Sequence, residues 1–146
     1  MRPMYETPAD LKNEEDVVAM LQKRWQCRFV KLPIRYHLDY VAIDGDKAIG
    51  FVELKTRNYS MAQIDSMGGY LMSIGKWSSA KALYDCSGLP FVLVVKTTDG
   101  IYHSTFKEFN PDDVLVRGRT DRGDWQDIEP CVLLKSNRFK LFKGVS

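Results

Sequence analysis

The stretch YHLDYVAIDGDKAIGFVELKT, residues 36–56, holds two β-type runs around one tight turn. Residues 36–44 read as a strand and residues 48–56 as the next. DGDK, 44–47, turns the chain between them, with Gly45 free to take positive φ. Two runs joined this closely form an antiparallel hairpin. In the second run Ile49, Phe51, Glu53 and Lys55 share one face by strand alternation. The first two are apolar and the last two charged, so one end of that face is core and the other end is a site.

The hairpin admits two registers. With Gly45–Lys47 as a three-residue loop, Asp44 pairs with Ala48, and Asp39 falls opposite Glu53 on the same face. With a two-residue loop of Gly45 and Asp46, the register shifts by one and the two acids lie on opposite faces. In the first register two carboxylates meet beside Lys55. Facing carboxylates repel and raise one another's pKa. A hard divalent cation removes the conflict: Mg²⁺ binds through one or two carboxylates, keeps several waters and accepts phosphate oxygens. Such a cation activates water and stabilises charge on a phosphoryl group. Lys55, a compact cation on a long stem, suits holding the attacking water or neutralising the transition state. The set fits hydrolysis of a phosphodiester. Glu-x-Lys also arises by chance, since about a quarter of residues in ordinary proteins are charged. The plain alternative is a solvated strand end with a surface ion pair.

The flanking chain supplies a frame. Thr7 can cap a helix that starts at Pro8, with Asp10 in its first turn. Leu11, Val18, Leu21 and Trp25 make one face of it. Glu14 falls on that same apolar face. It either aims at the same cation, or a water held by it, or rests near a helix N-terminus, where negative charge is favoured. CRFVKLP, 27–33, reads as the first strand. Beyond the hairpin, RNYSMAQIDSMGGY reads as a loop with one short helix, because Gly68 and Gly69 interrupt anything longer. Ser73–Ser87 is a helix capped by Ser73, with Ile74, Trp77, Ala80 and Tyr84 on its face and Gly88 and Pro90 to stop it. FVLVVK, 91–96, has the continuous apolar character of a buried central strand. TTDG then turns the chain into IYHSTF. Residues 107–130 read as loop-rich, and CVLLK and FKLF as two further short strands. The order predicts an α/β fold with a mixed central sheet flanked by helices.

The totals agree. A chain of 146 residues, 45% apolar and 27% charged, fits one domain with a sizeable core. No apolar run approaches a membrane span, and the polar, acidic start has no signal-peptide core. A cytoplasmic protein with no membrane partner is expected. Cys27, Cys86 and Cys131 form no C-x-x-C pair and read as buried, reduced thiols. His37 and His103 stand far apart, so a zinc site has little support. The net charge of +2 says little about partners. The run from Lys135 to Ser146 carries Lys135, Arg138, Lys140 and Lys143 with no acid, and residues 117–122 read RGRTDR. These fit a phosphate-binding strip and a solvated surface equally well.

Leu38-Asp39, then thirteen residues, then Glu53-Leu54-Lys55, on this order of elements, resembles the PD-(D/E)XK nuclease superfamily. Leu38 stands where the motif has Pro. The likeness covers residues 8–106 and implies a restriction-endonuclease-like αβββαβ core within a single domain, 1–146. Residues 107–146 form a C-terminal extension outside the likeness. It implies that Asp39 and Glu53 hold Mg²⁺ or Mn²⁺, that the Leu54 carbonyl joins them, and that Lys55 is catalytic. An acid on the first helix, here Glu14, is frequent in the superfamily. YLMSIGKW followed by GLPFVLVVKTTDGIYH resembles small phage-type nucleases of the group more particularly, with Lys76 as the lysine of the second helix. Such an origin implies the host cytoplasm. Lys76, Arg57 and Gln63 are candidates for contacting substrate phosphate or supporting the site. Gln63 and Tyr70 are seven apart, so the Q-x-x-x-Y signature of the recombination-exonuclease branch is absent. Tyr59, Trp77 and Trp125 are candidates for base stacking, with core the better reading of Trp77.

The expected function is metal-dependent hydrolysis of DNA, by the chain alone, as a homodimer or with a protein partner. The alternative is a non-catalytic nucleic-acid-binding or assembly protein that keeps the fold. A third reading takes Glu-Leu-Lys as coincidence in a protein unrelated to nucleic acid. Polarity of cleavage, strandedness of the substrate and sequence specificity are not written in the sequence.

Overall fold

The computed structural model describes residues 8–32, 38–118 and 128–144. Thr7, His37, Trp125, the first residues of the predicted second strand, Arg119–Arg122 and the last two residues lie outside them. Helix α1 (Pro8–Trp25) leads into β1 (Arg28–Lys31), β2 (Tyr40–Asp44) and β3 (Lys47–Thr56). A short helix α2 (Met61–Ser66), β4 (Tyr70–Ser73) and α3 (Ile74–Ser87) follow. Then come β5 (Phe91–Lys96), β6 (Gly100–Phe106), β7 (Asp113–Gly118), β8 (Ile128–Leu134), a one-turn 3-10 helix (Ser136–Arg138) and β9 (Lys140–Gly144).

Among the described residues the strands form two sheets. The larger has the order β1-β2-β3-β5-β6-β9. Only the β3–β5 pair in it is parallel, so the sheet is mixed, as expected. The crossover from β3 to β5 carries α2, β4 and α3. The smaller sheet has the order β4-β8-β7 and is antiparallel.

Two cores lie on the two faces of the large sheet. Val17 and Leu21 of α1 pack with Tyr40, Ala42, Val52, Leu54, Val94 and Ile101. On the other face Trp77 and Ala80 of α3 join Phe91, Leu93, Val95 and Phe106. Strand alternation explains the split: Val52 and Leu54 face α1, while Phe51 and Glu53 face α3. Val17 rather than Val18 is the most buried residue of the α1 stripe after Leu21. Ser73 caps α3 as predicted, its hydroxyl accepting the Lys76 amide, and Gly88 ends the helix in the left-handed conformation. Ile74 of the predicted α3 face is exposed, whereas Trp77 is core.

Two expectations need correction. Residues 107–130 contain β7 and the start of β8 and are less loop-rich than their polar residues suggest. The stretch before α3 holds β4 as well as a helix. In the C-terminal extension Val132 and Leu134 are fully buried in the same cluster as Ile64, Tyr70, Met72 and Trp77. Gly69 makes the β4–β8 approach feasible. Its φ is +141°, and a Cβ there would sit 2.5 Å from the Leu134 carbonyl oxygen. Of the cysteines, Cys131 is buried, Cys27 is half-buried and Cys86 is exposed, all three as free thiols.

Candidate active site

The hairpin solves its register in a way neither loop length alone describes. Asp44 pairs with Lys47 and Ile43 with Ala48, so the turn is the two-residue one, with Gly45 at φ +63°. A β-bulge then intervenes, and Ala42 pairs with Gly50, Val41 with Phe51 and Tyr40 with Val52. The bulge takes up Ile49 as an extra residue and moves the remaining pairs into the other register. The next position therefore sets Asp39 against Glu53. The turn is the unfavourable one and the pairing at the site is the favourable one.

Asp39 is held at both ends. Its carbonyl accepts the Leu32 amide at 2.8 Å, which extends the β1–β2 ladder by one rung. Its Oδ2 accepts the Leu54 amide at 2.8 Å. Along β3 the amides of Phe51 and Arg57 donate to Pro90 and Lys96 on the β5 side. Alternation turns the amide and carbonyl of Leu54 toward β2. There the β2 backbone has ended, and the Asp39 carboxylate replaces it as acceptor.

Glu53 is fully buried in the central strand. Its Oε1 lies 2.6 Å from Lys76 Nζ and 3.6 Å from Lys55 Nζ. Its Oε2 is buried with no hydrogen-bond partner among the described residues. Burial, with Asp39 adding to it, pushes the Glu53 carboxyl up to about 7 against the pull of the two ammonium groups. A carboxylate oxygen left open in a protein interior is costly unless some group completes it.

Glu14 reaches the same sheet edge from the α1 side. Its Oε2 accepts the Tyr40 hydroxyl at 2.7 Å and Lys31 Nζ at 3.1 Å. Lys31 Nζ is also 3.9 Å from Asp39 Oδ1 and 4.8 Å from the Tyr40 ring centre. One ammonium thus stands between Glu14 and Asp39. The acid on the apolar stripe of α1 is satisfied by two partners and is not a solvated N-terminal charge.

Arg57 continues the face of Glu53 and Lys55. Its guanidinium carbon lies 5.1 Å from the Tyr70 ring centre, and Nη2 donates to the Tyr70 hydroxyl at 3.2 Å. Tyr70 is buried, and burial pushes its phenol up. The structure thus gathers Asp39, Glu53, Leu54, Lys55, Lys76 and Arg57, with Glu14 linked through Lys31. Gln63 is not brought in. Its amide closes the α2 capping box, Oε1 accepting the Ser60 amide while its own N–H donates to Ser60 Oγ. Tyr59 is exposed, away from the core. Sequence reasoning missed Lys31 and Tyr70 as neighbours of the site. Lys31 faces Tyr40 across the β1–β2 ladder, one step from Asp39. The intervening segment gives no turn signal from which that register follows.

Among the described residues no group of three or more His, Cys, Asp or Glu is arranged to hold a metal ion. The donors present are a carboxylate pair and a backbone carbonyl. That set, with one oxygen of Glu53 open, fits a hard divalent cation that keeps most of its coordination for water and substrate.

No curated protein matches the chain. Among solved structures, the Holliday junction resolvase Hjc of the archaeal hyperthermophile Archaeoglobus fulgidus matches with a TM-score of 0.46 at 14% identity. That match covers 64% of this chain and 74% of the resolvase. The sequence matches the family described as "Phage putative PDDEXK endonuclease" over residues 1–142. The match spans nearly the whole chain, extension included, and the chain belongs to this family of phage PDDEXK endonucleases.

Proposed function

We propose that the protein is a divalent-cation-dependent nuclease that hydrolyses phosphodiester bonds in DNA. The observation that carries the reading is the buried, partnerless Oε2 of Glu53 beside Asp39 at the mouth of two lysines. A sheet interior gains nothing in stability from two mutually repelling acids, so a bound cation accounts for them best.

Asp39, Glu53 and the Leu54 carbonyl would hold Mg²⁺ or Mn²⁺, with Glu14 outside them through Lys31. When bound, the cation supplies Lewis-acid polarisation of the phosphate and activation of a water. The chain's own groups do the rest. The Leu54 amide fixes the Asp39 carboxylate, so it meets the cation already oriented. Lys55 stands on the Glu53 side of the same strand face and stabilises charge on the phosphoryl oxygens. Lys76 offsets the charge of the Glu53 carboxylate. Arg57, stacked on Tyr70, is oriented to grip a neighbouring phosphate with its remaining donors.

Incubation of the purified protein with linear duplex, single strand, circle and branched junction tests the reading. Cutting is expected in Mg²⁺ or Mn²⁺, not in EDTA, and not by Glu53→Gln. DNA binding without cutting under every condition would move the protein to the non-catalytic alternative.

A further inference from the structure

Arg57 ties the two sheets together. Its backbone amide donates to the Lys96 carbonyl of β5 at 2.8 Å, so its main chain belongs to the large sheet. Its guanidinium lies against Tyr70, the first residue of β4, and so belongs to the small one. Tyr70 is itself fixed. It is 4% exposed, pairs with Leu134 of β8, and meets the Phe139 ring edge-on with the centres 5.9 Å apart. The lysines beside Glu53 are ion-paired with it. Among the described residues the Arg57 side chain has only neutral partners: the Tyr70 ring and hydroxyl, and the Thr56 carbonyl, to which Nη1 donates at 3.1 Å. The two hydrogen bonds use two of the five N–H groups of a guanidinium.

We propose that Tyr70 is a positioning residue for DNA binding, which holds the Arg57 guanidinium ready for a backbone phosphate beside the one cleaved. Through Tyr70, its β8 partner and Phe139 contribute to the affinity for DNA. The inference rests on the nuclease reading above. The physical argument is preorganisation. A loose arginine side chain loses rotamer freedom when it grips a phosphate, and that loss weakens binding. A guanidinium stacked on a fixed ring and bonded to its hydroxyl has lost that freedom on folding. Its partners leave its charge uncompensated, so an anion that accepts the remaining N–H groups completes it. Tyr70 needs no contact with DNA for this; it acts through Arg57.

The test is a double-mutant cycle of Tyr70→Phe and Arg57→Ala in the full chain. Duplex binding is followed by fluorescence anisotropy in Ca²⁺ over a series of KCl concentrations, with gels to verify that the DNA stays intact. Tyr70→Phe keeps the ring in the core and removes only the hydroxyl. It is expected to weaken binding about 3- to 10-fold in the wild-type background and not at all beside Arg57→Ala. In Mg²⁺-dependent cleavage its KM should rise by a similar factor with kcat unchanged. Arg57→Ala alone should flatten the log–log salt dependence by about 0.9, one phosphate contact. Equal weakening in both backgrounds, a loss confined to kcat, or no weakening in either would overturn the proposal. So would an unchanged salt slope in Arg57→Ala, a substitution at a half-buried position that still decides the matter if Tyr70→Phe does not fold. Failure of the nuclease reading looks different: wild type cuts no DNA in Mg²⁺ or Mn²⁺, whatever the cycle shows.

Discussion

The Asp39 carboxylate accepts the backbone amide of Leu54 at 2.8 Å, so one candidate metal ligand is fastened to the residue next to the other. β2 falls two residues short of the position opposite Leu54, and an acid side chain takes over the ladder. The candidate pair is thus built from a strand that ends and a strand that continues.

That bond separates two substitutions at Asp39. Asp39→Asn keeps an acceptor for the Leu54 amide and removes the charge that raises Glu53. Its stability should match or exceed wild type in urea titration. Asp39→Ala strands the amide and should cost about 1–3 kcal/mol. Both should lose cleavage. Equal stability of the two variants would mean that the Leu54 bond contributes nothing.

Glu53 gives a pH dependence of known sign. Its folded value of about 7 lies above the ordinary 4.5. Between those values the native state holds a proton that the unfolded chain releases, so stability falls as pH rises through the window and is flat above it. Glu53→Gln removes that loss. The variant should match wild type near pH 4.5 and exceed it above pH 7, by on the order of 1–3 kcal/mol. Urea melts of both proteins across this range check it. A difference that does not change with pH would place the Glu53 titration elsewhere.

Lys55→Ala should slow cleavage by about 10²–10³, the scale of a lost charge-stabilising donor, while the thermal shift caused by Mn²⁺ persists. Retained full activity would remove Lys55 from the chemistry.

Gly69→Ala should be strongly destabilising without touching the site. The added methyl would strike the Leu134 carbonyl oxygen, and the backbone there has φ +141°. A lowered melting temperature is expected, because β4 and β8 must part to make room. Leu134→Ala, in the same strand pair, should cost about 2–5 kcal/mol and would measure how far the C-terminal extension belongs to the core.

Much of this was legible in the sequence, for physical reasons that differ from residue to residue. FVLVVK could only be a buried central strand, and α3 carries its own cap at Ser73 and its own stop at Gly88. The face Phe51-Glu53-Lys55 announces a charged end on an apolar strand, but Ile49, expected at the core end of that face, is exposed at the bulge. The hairpin register was not legible. The turn that the residues favour and the pairing that the site requires disagree by one, and only the bulge at Ile49 reconciles them. β4 was hidden because four residues after two glycines carry no period, and its partner β8 lies far downstream in the chain. Lys31 was hidden for a related reason: its neighbour Asp39 is set by a β1–β2 register with no tight turn to read.

The central claim is that Asp39 and Glu53 together hold the catalytic cation. Mn²⁺ binding measured by electron paramagnetic resonance at pH 8, in wild type, Asp39→Asn and Glu53→Gln, tests it most directly. Wild type should take up Mn²⁺, and each single variant should lose most of that affinity while remaining folded. Undiminished Mn²⁺ binding by both variants would contradict the account.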